Sequence, residues 1–126
     1  MKITLFTSNK SRHNYLINLL SKVSDQLFVV QECDKINPEQ NLTSETMNRY
    51  FKQVNNAQVK FFENLQTNNQ SKNIKLLPIM FGSLSNYPLP FSSDFLKSDI
   101  YIIFGSSYIK GELIDQLIEK KAINIH

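Results

Sequence analysis

The last quarter of the chain, Ser98 to His126, constrains the fold more than any other stretch. It reads SDIYIIFGSSYIKGELIDQLIEKKAINIH. Ile100–Phe104 is an apolar run too short for a stable isolated helix, and its β-branched and aromatic residues read as a buried strand. Gly105, Ser106 and Ser107 break that run. Leu113, Ile114, Leu117 and Ile118 then recur at helical spacing, with Glu112, Asp115, Glu119, Lys120 and Lys121 on the other side. A second short apolar run, Ala122–Ile125, closes the chain with Asn124 and His126. Strand, tight loop, helix, strand within about thirty residues is a βαβ unit, and its two strands should pair in parallel.

The remainder fits a doubly wound α/β architecture, a mostly parallel, Rossmann-like sheet in three α/β/α layers. MKITLFT, residues 1–7, reads as the first strand, and the polar cluster Ser8–Ser11 ends it. Ser11 is placed to cap a helix over Arg12–Lys22, with Tyr15, Leu16, Leu19 and Leu20 as its apolar stripe and Val23 extending it. Leu27–Glu32 reads as the second strand, and the polar run from Asp34 to Asn41 as a loop. A long helix is expected over Ser44–Leu65, its aromatics serving core and partner-facing packing. Thr67–Asn73 reads as a polar linker too short to separate domains. Pro78 limits the next strand to a short edge segment, Pro78–Phe81, stopped by Gly82. Ser83 to Pro90 reads as irregular loop, and Ser92 or Ser93 as the cap of a short helix over Asp94–Lys97. Residues 1–126 are expected to form one domain around one core.

The candidate chemistry gathers at strand ends. Side chains alternate along a strand, so Asn124 and His126 project from one face, roughly 6–7 Å apart. An amide and an imidazole then stand side by side at the carboxyl end of a parallel strand, where open α/β sheets bind ligands. The Gly105–Ser107 loop leaves the preceding strand at the same edge. At the other entrance, Ser8 and Asn9 can offer backbone N–H groups and a helix N-terminus to an anion. Arg12 and His13 either add charge to that site or are solvated first-turn residues. The glycine-rich dinucleotide fingerprint is absent, so NAD or FAD has little support.

Composition narrows the class. Apolar content of 41% and charged content of 20% suit a soluble globular chain. A net charge of +3 is compatible with an anionic substrate but does not argue for nucleic acid. The single Cys33 cannot form an internal disulfide, which with the absence of a signal peptide favours a cytoplasmic location, and Cys33 itself reads as a bystander. No apolar run reaches the ~18 residues of a membrane span, and no Cys/His cluster has metal spacing.

FGSSYIKGELIDQLIEKKAINIH resembles the core of the folate-dependent formyltransferases, which include the glycinamide ribonucleotide, methionyl-tRNA and amino-sugar enzymes. The small-residue loop, the Gly105 turn, the acidic-apolar helix and the INIH ending match together, and Arg12-His13 is similar to the start of the first helix in several members. The resemblance implies transfer of a formyl group from the cosubstrate 10-formyltetrahydrofolate to a primary amine. An amino-sugar nucleotide is the favoured acceptor and methionyl-tRNA the other. It implies Asn124 and His126 as the catalytic pair and Phe104, Gly105, Ser106, Ser107, Tyr108 and Ile109 as the folate loop. Ser8, Asn9, Arg12 and His13 become substrate contacts, with no metal. The family's catalytic aspartate lies beyond the Asn-x-His pair. The chain therefore reads either as the front part of a catalytic domain or as a degenerate relative of the family, expected to show little turnover alone. The alternatives are a non-catalytic α/β binding or assembly module, and a methyl- or nucleotidyltransferase on an unrelated doubly wound fold.

Overall fold

The computed structural model of the chain describes residues 1–34, 45–63, 71–86 and 94–125. Five strands are present among them: β1 (Lys2–Ser8), β2 (Gln26–Cys33), β3 (Ile74–Met80), β4 (Ile100–Phe104) and β5 (Ile123–Ile125). They form one sheet in the order β3-β2-β1-β4-β5, and every pairing is parallel. This is the strand order of a Rossmann-like sheet. The terminal βαβ unit is as the apolar runs predict, with Ile102 opposite Ile123, Ile103 opposite Asn124 and Phe104 opposite Ile125.

Helix α1 (Ser11–Val23) covers one face of the sheet. Ile17, with Leu16 and Leu20 beside it, packs on Ile3, Leu5, Leu27, Val29 and Ile102. Helix α3 (Glu112–Glu119) covers the opposite face, where Leu117 joins Phe6, Val30, Tyr101 and Ile109, flanked by Leu113 and Ile114. The alternation of each strand thus feeds two cores, and the layers are helix, sheet, helix. Asp115 is exposed, as its place in the amphipathic pattern requires.

Several local expectations need correction. Ser11 is already helical, so Lys10 holds the N-cap position and no side chain caps α1. The buried stripe of α1 is His13, Ile17 and Ser21, whereas Leu19 and Val23 are exposed. Leu16 and Leu20 of the expected stripe do pack on the sheet beside Ile17, so the stripe is displaced by part of a turn and not replaced. Strand β3 starts at Ile74, four residues before Pro78, and Pro78 pairs with Gln31. Proline is tolerated there because β3 is an edge strand. Helix α2 (Glu45–Gln58) runs on into a π-turn over Val59–Glu63 and has no buried residue, which overturns its reading as core packing. Asp94–Leu96 is a single 3₁₀ turn. The loop after Asp34, the ends of the middle helix at Ser44 and Leu65, most of the linker, Pro88, Pro90, Ser92, Ser93 and His126 lie outside the described residues.

Candidate ligand site at the carboxyl edge of the sheet

The chain reverses its direction of winding between β1 and β4. From β1 it winds through α1 to β2 and on to β3; from β4 it winds the other way through α3 to β5. Loops leaving the carboxyl ends of β1 and β4 therefore diverge, and such a switch point opens a crevice in open α/β sheets. Here the two strand ends are tied together by the Thr7 hydroxyl, which donates to the Phe104 carbonyl at 2.7 Å.

His13 fills the crevice between the two loops. It is 1% exposed, and its ring meets that of Phe104 edge-on at 4.7 Å between centroids. The Arg12 Nε–H donates to Nε2 at 3.1 Å, so that nitrogen carries the lone pair. Nδ1 then holds the proton and donates to the Ser8 hydroxyl at 2.5 Å. Burial, helped by the neighbouring Arg12 and Lys10 charges, lowers the His13 pKa to about 4. The expectation that His13 adds charge to a substrate site is thereby corrected: the ring is neutral packing. Ser8 is also buried, at 1% exposure. Gly105 lies directly over this ring. A Cβ built on Gly105 would overlap His13 Nε2 and Cε1, and its φ of +70° is in the left-handed region. The position thus requires glycine on two grounds.

One cavity of about 370 Å³ opens on the α3 side of His13. Its lining includes Gly105, Ser106, Ser107, Tyr108 and Ile109 from the β4–α3 loop and Asn124 from β5. Five residues of the predicted folate loop and one member of the predicted pair are thus brought to one concavity. Phe104 packs instead against the α1-side core and the His13 ring. Asn124 is exposed, as are its neighbours Ile123 and Ile125, because β5 is the far edge strand. Tyr108, 80% exposed, also borders a second hollow of about 480 Å³ with Gly82, Ser85, Lys110 and Gly111.

A third cavity, of about 440 Å³, lies between the β1–α1 loop and α2. Asn9, Lys10, Ser11 and Arg12 form one wall, and Tyr50, Phe51 and Val54 stand in the other. Tyr50 and Phe51 are themselves stacked edge-on at 5.6 Å. Of the four expected substrate contacts, Asn9 and Arg12 line this space, while Ser8 and His13 are buried and do not.

Glu32 escaped the sequence reading. It is the penultimate residue of β2, on the α3 side of the sheet, is 0% exposed, and accepts four hydrogen bonds. Ser107 gives two, from its amide to Oε2 at 2.6 Å and from its hydroxyl to Oε1 at 2.7 Å. The amides of Gly82 and Leu84 donate to Oε1 at 3.1 and 3.3 Å. A buried carboxylate is tolerable only with such compensation. Nothing in the local sequence signals it, since its donors lie 50 to 75 residues downstream.

Among the described residues, no group of three or more His, Cys, Asp or Glu is arranged to hold a metal ion. No described helix is long and apolar enough to cross a membrane. The fold and its edge cavities define a small Rossmann-like α/β protein with a concave site beside its switch point. No family model, curated protein or solved structure matches the chain.

Proposed function

We propose that the protein binds 10-formyltetrahydrofolate in the cavity between the β4–α3 loop and β5, and that its formyl group passes to a primary amine. The observation that carries this reading is the shared cavity of Gly105–Ile109 and Asn124, which adds to the resemblance in their sequence. Loop backbone groups suit the hydrogen-bonding edge of a pterin, and small side chains allow close approach. The amine nitrogen attacks the formyl carbon, and a tetrahedral oxyanion forms. The Asn124 amide donates to that oxyanion, a contact typically worth ~3 kcal/mol. Collapse breaks the carbon–N10 bond, and the proton lost by the amine returns to N10. His126, which lies outside the described residues, is the residue the resemblance supplies for proton transfer.

The acceptor favoured is an amino-sugar nucleotide. Lys10 and Arg12 suit its phosphates, and the exposed Tyr50 and Phe51 rings suit its base. Turnover is measured as release of tetrahydrofolate from 10-formyltetrahydrofolate in the presence of an amino-sugar nucleotide. Asn124→Ala should lower formyl transfer roughly 10²–10³-fold while affinity for 5-formyltetrahydrofolate stays within about threefold. Unchanged turnover in that variant would remove Asn124 from the chemistry. Absence of any folate affinity would remove the cosubstrate.

A further inference from the structure

We propose that Glu32 is the positioning residue of the ligand loop: its buried carboxylate sets the conformation of Ser106–Ile109 and so the shape of the two cavities that loop borders. The inference rests on the folate reading for the identity of the ligand, but its geometry is independent of it.

The loop leaves β4 with little sheet support. Its two ends are held by packing, Gly105 against the His13 ring and Ile109, 7% exposed, in the α3-side core. From Ser106 onward the backbone has no regular structure until α3 begins at Glu112. Between those ends its fixed points are polar. Ser107 binds Glu32 through both its amide and its hydroxyl. Two residues of the chain after β3, Gly82 and Leu84, bind the same carboxylate. Leu84, 1% exposed, is anchored in the α3-side core, so this half of the clamp is rigid. The Ser85 hydroxyl then completes a second tie, donating to the Tyr108 carbonyl at 3.0 Å and accepting from the Lys110 amide at 2.8 Å.

One carboxylate thus joins three elements: the end of β2, the turn after β3 and the loop after β4. It reaches across the end of β1, because Glu32 is in register with Ser8, and β1 separates β2 from β4 in the sheet. Glu32 itself is out of reach of any ligand, being fully buried. Its effect passes through the residues it holds: Ser107, which lines both the 370 Å³ and the 480 Å³ hollows, and Gly82, which lines the second. A glutamine cannot replace it. The amide has one accepting oxygen and would turn an N–H toward a donor, either the Ser107 amide or the cluster at Oε1. An aspartate keeps both oxygens but is one methylene short.

Two measurements on the whole chain test this. The first is amide hydrogen exchange without ligand. Glu32→Gln should raise exchange at Ser107, Gly82 and Leu84 at least tenfold, with Phe6 and Val30 in the sheet nearly unchanged. Unchanged loop exchange, or an equal rise throughout the sheet, would overturn the proposal. The second is titration with 5-formyltetrahydrofolate. Glu32→Gln should weaken binding at least tenfold and Glu32→Asp less, while Leu16→Ala, a core change of similar or greater effect on stability, leaves affinity near normal. Equal affinity in wild type and Glu32→Gln would also overturn it. A wild-type chain that binds no folate analogue would refute the cosubstrate assignment, and the exchange result would then decide the role of Glu32 by itself.

Discussion

At the residue scale, two side chains organise the switch point: His13, which the sequence offers as a substrate contact, and Glu32, which it does not mark at all. His13 sits under Gly105, and replacing that glycine should show how tightly. Gly105→Ala must hold a left-handed backbone and push its methyl into an imidazole, so a loss of about 2 kcal/mol is expected, read as a drop of roughly 6–10 °C in thermal unfolding. His13 also makes stability depend on pH. Its folded pKa is about 4, against 6.5 for an exposed imidazole. The unfolded state therefore binds more protons between those values, and stability falls as pH is lowered from 6.5 to 4. The contribution is on the order of 3 kcal/mol, and urea titrations across that window should show a shallower slope in His13→Asn than in wild type. The sequence marked Arg12-His13 as notable but not the fate of His13. Its burial depends on Gly105 arriving from more than ninety residues downstream, a contact no local pattern encodes. Glu32 was hidden for the same reason.

At the element scale, what periodicity could reveal was revealed. The runs Ile100–Phe104 and Ala122–Ile125 flank an amphipathic helix, and they pair in parallel. The first two strands and α1 were legible from short apolar runs bounded by polar clusters. The face of α1 that meets the sheet was legible in part: Leu16 and Leu20 of the expected stripe pack there, but the most buried positions are His13, Ile17 and Ser21, and Leu19 is exposed. The middle helix misled more seriously. Its aromatics follow helical spacing, yet Tyr50, Phe51 and Phe61 are exposed at 57%, 47% and 65%. Hydrophobic spacing states that a face exists and not what covers it. The energetic difference is measurable. Leu117→Ala, in the α3-side core, should cost about 3 kcal/mol in urea unfolding. Phe51→Ser, on α2, should change stability by less than about 1 kcal/mol. A large loss in Phe51→Ser would mean that α2 is packed in solution.

At the scale of the whole molecule, the winding of the sheet places the 370 Å³ and 440 Å³ cavities beside the loops that leave its switch point. α1 and the residues after β1 lie on one side, α3 and β5 on the other, and the strand order sends the two loops apart. A transfer reaction needs two ligands brought to a common point, and the proposed assignment gives the folate the α3 side and the acceptor the α2 side. The α3-side cavity was legible in outline, because a parallel strand end must place its loop beside the next strand. Its walls beyond Asn124 and Gly105–Ile109 were not, since they depend on packing. The most direct measurement is a residue-resolved NMR titration of the labelled chain with 5-formyltetrahydrofolate. The account predicts amide shifts concentrated at Gly105–Ile109 and Asn124, with little change at Lys10, Arg12, Tyr50 and Phe51. No shifts at saturating ligand, or shifts confined to the cavity between the β1–α1 loop and α2, would contradict it.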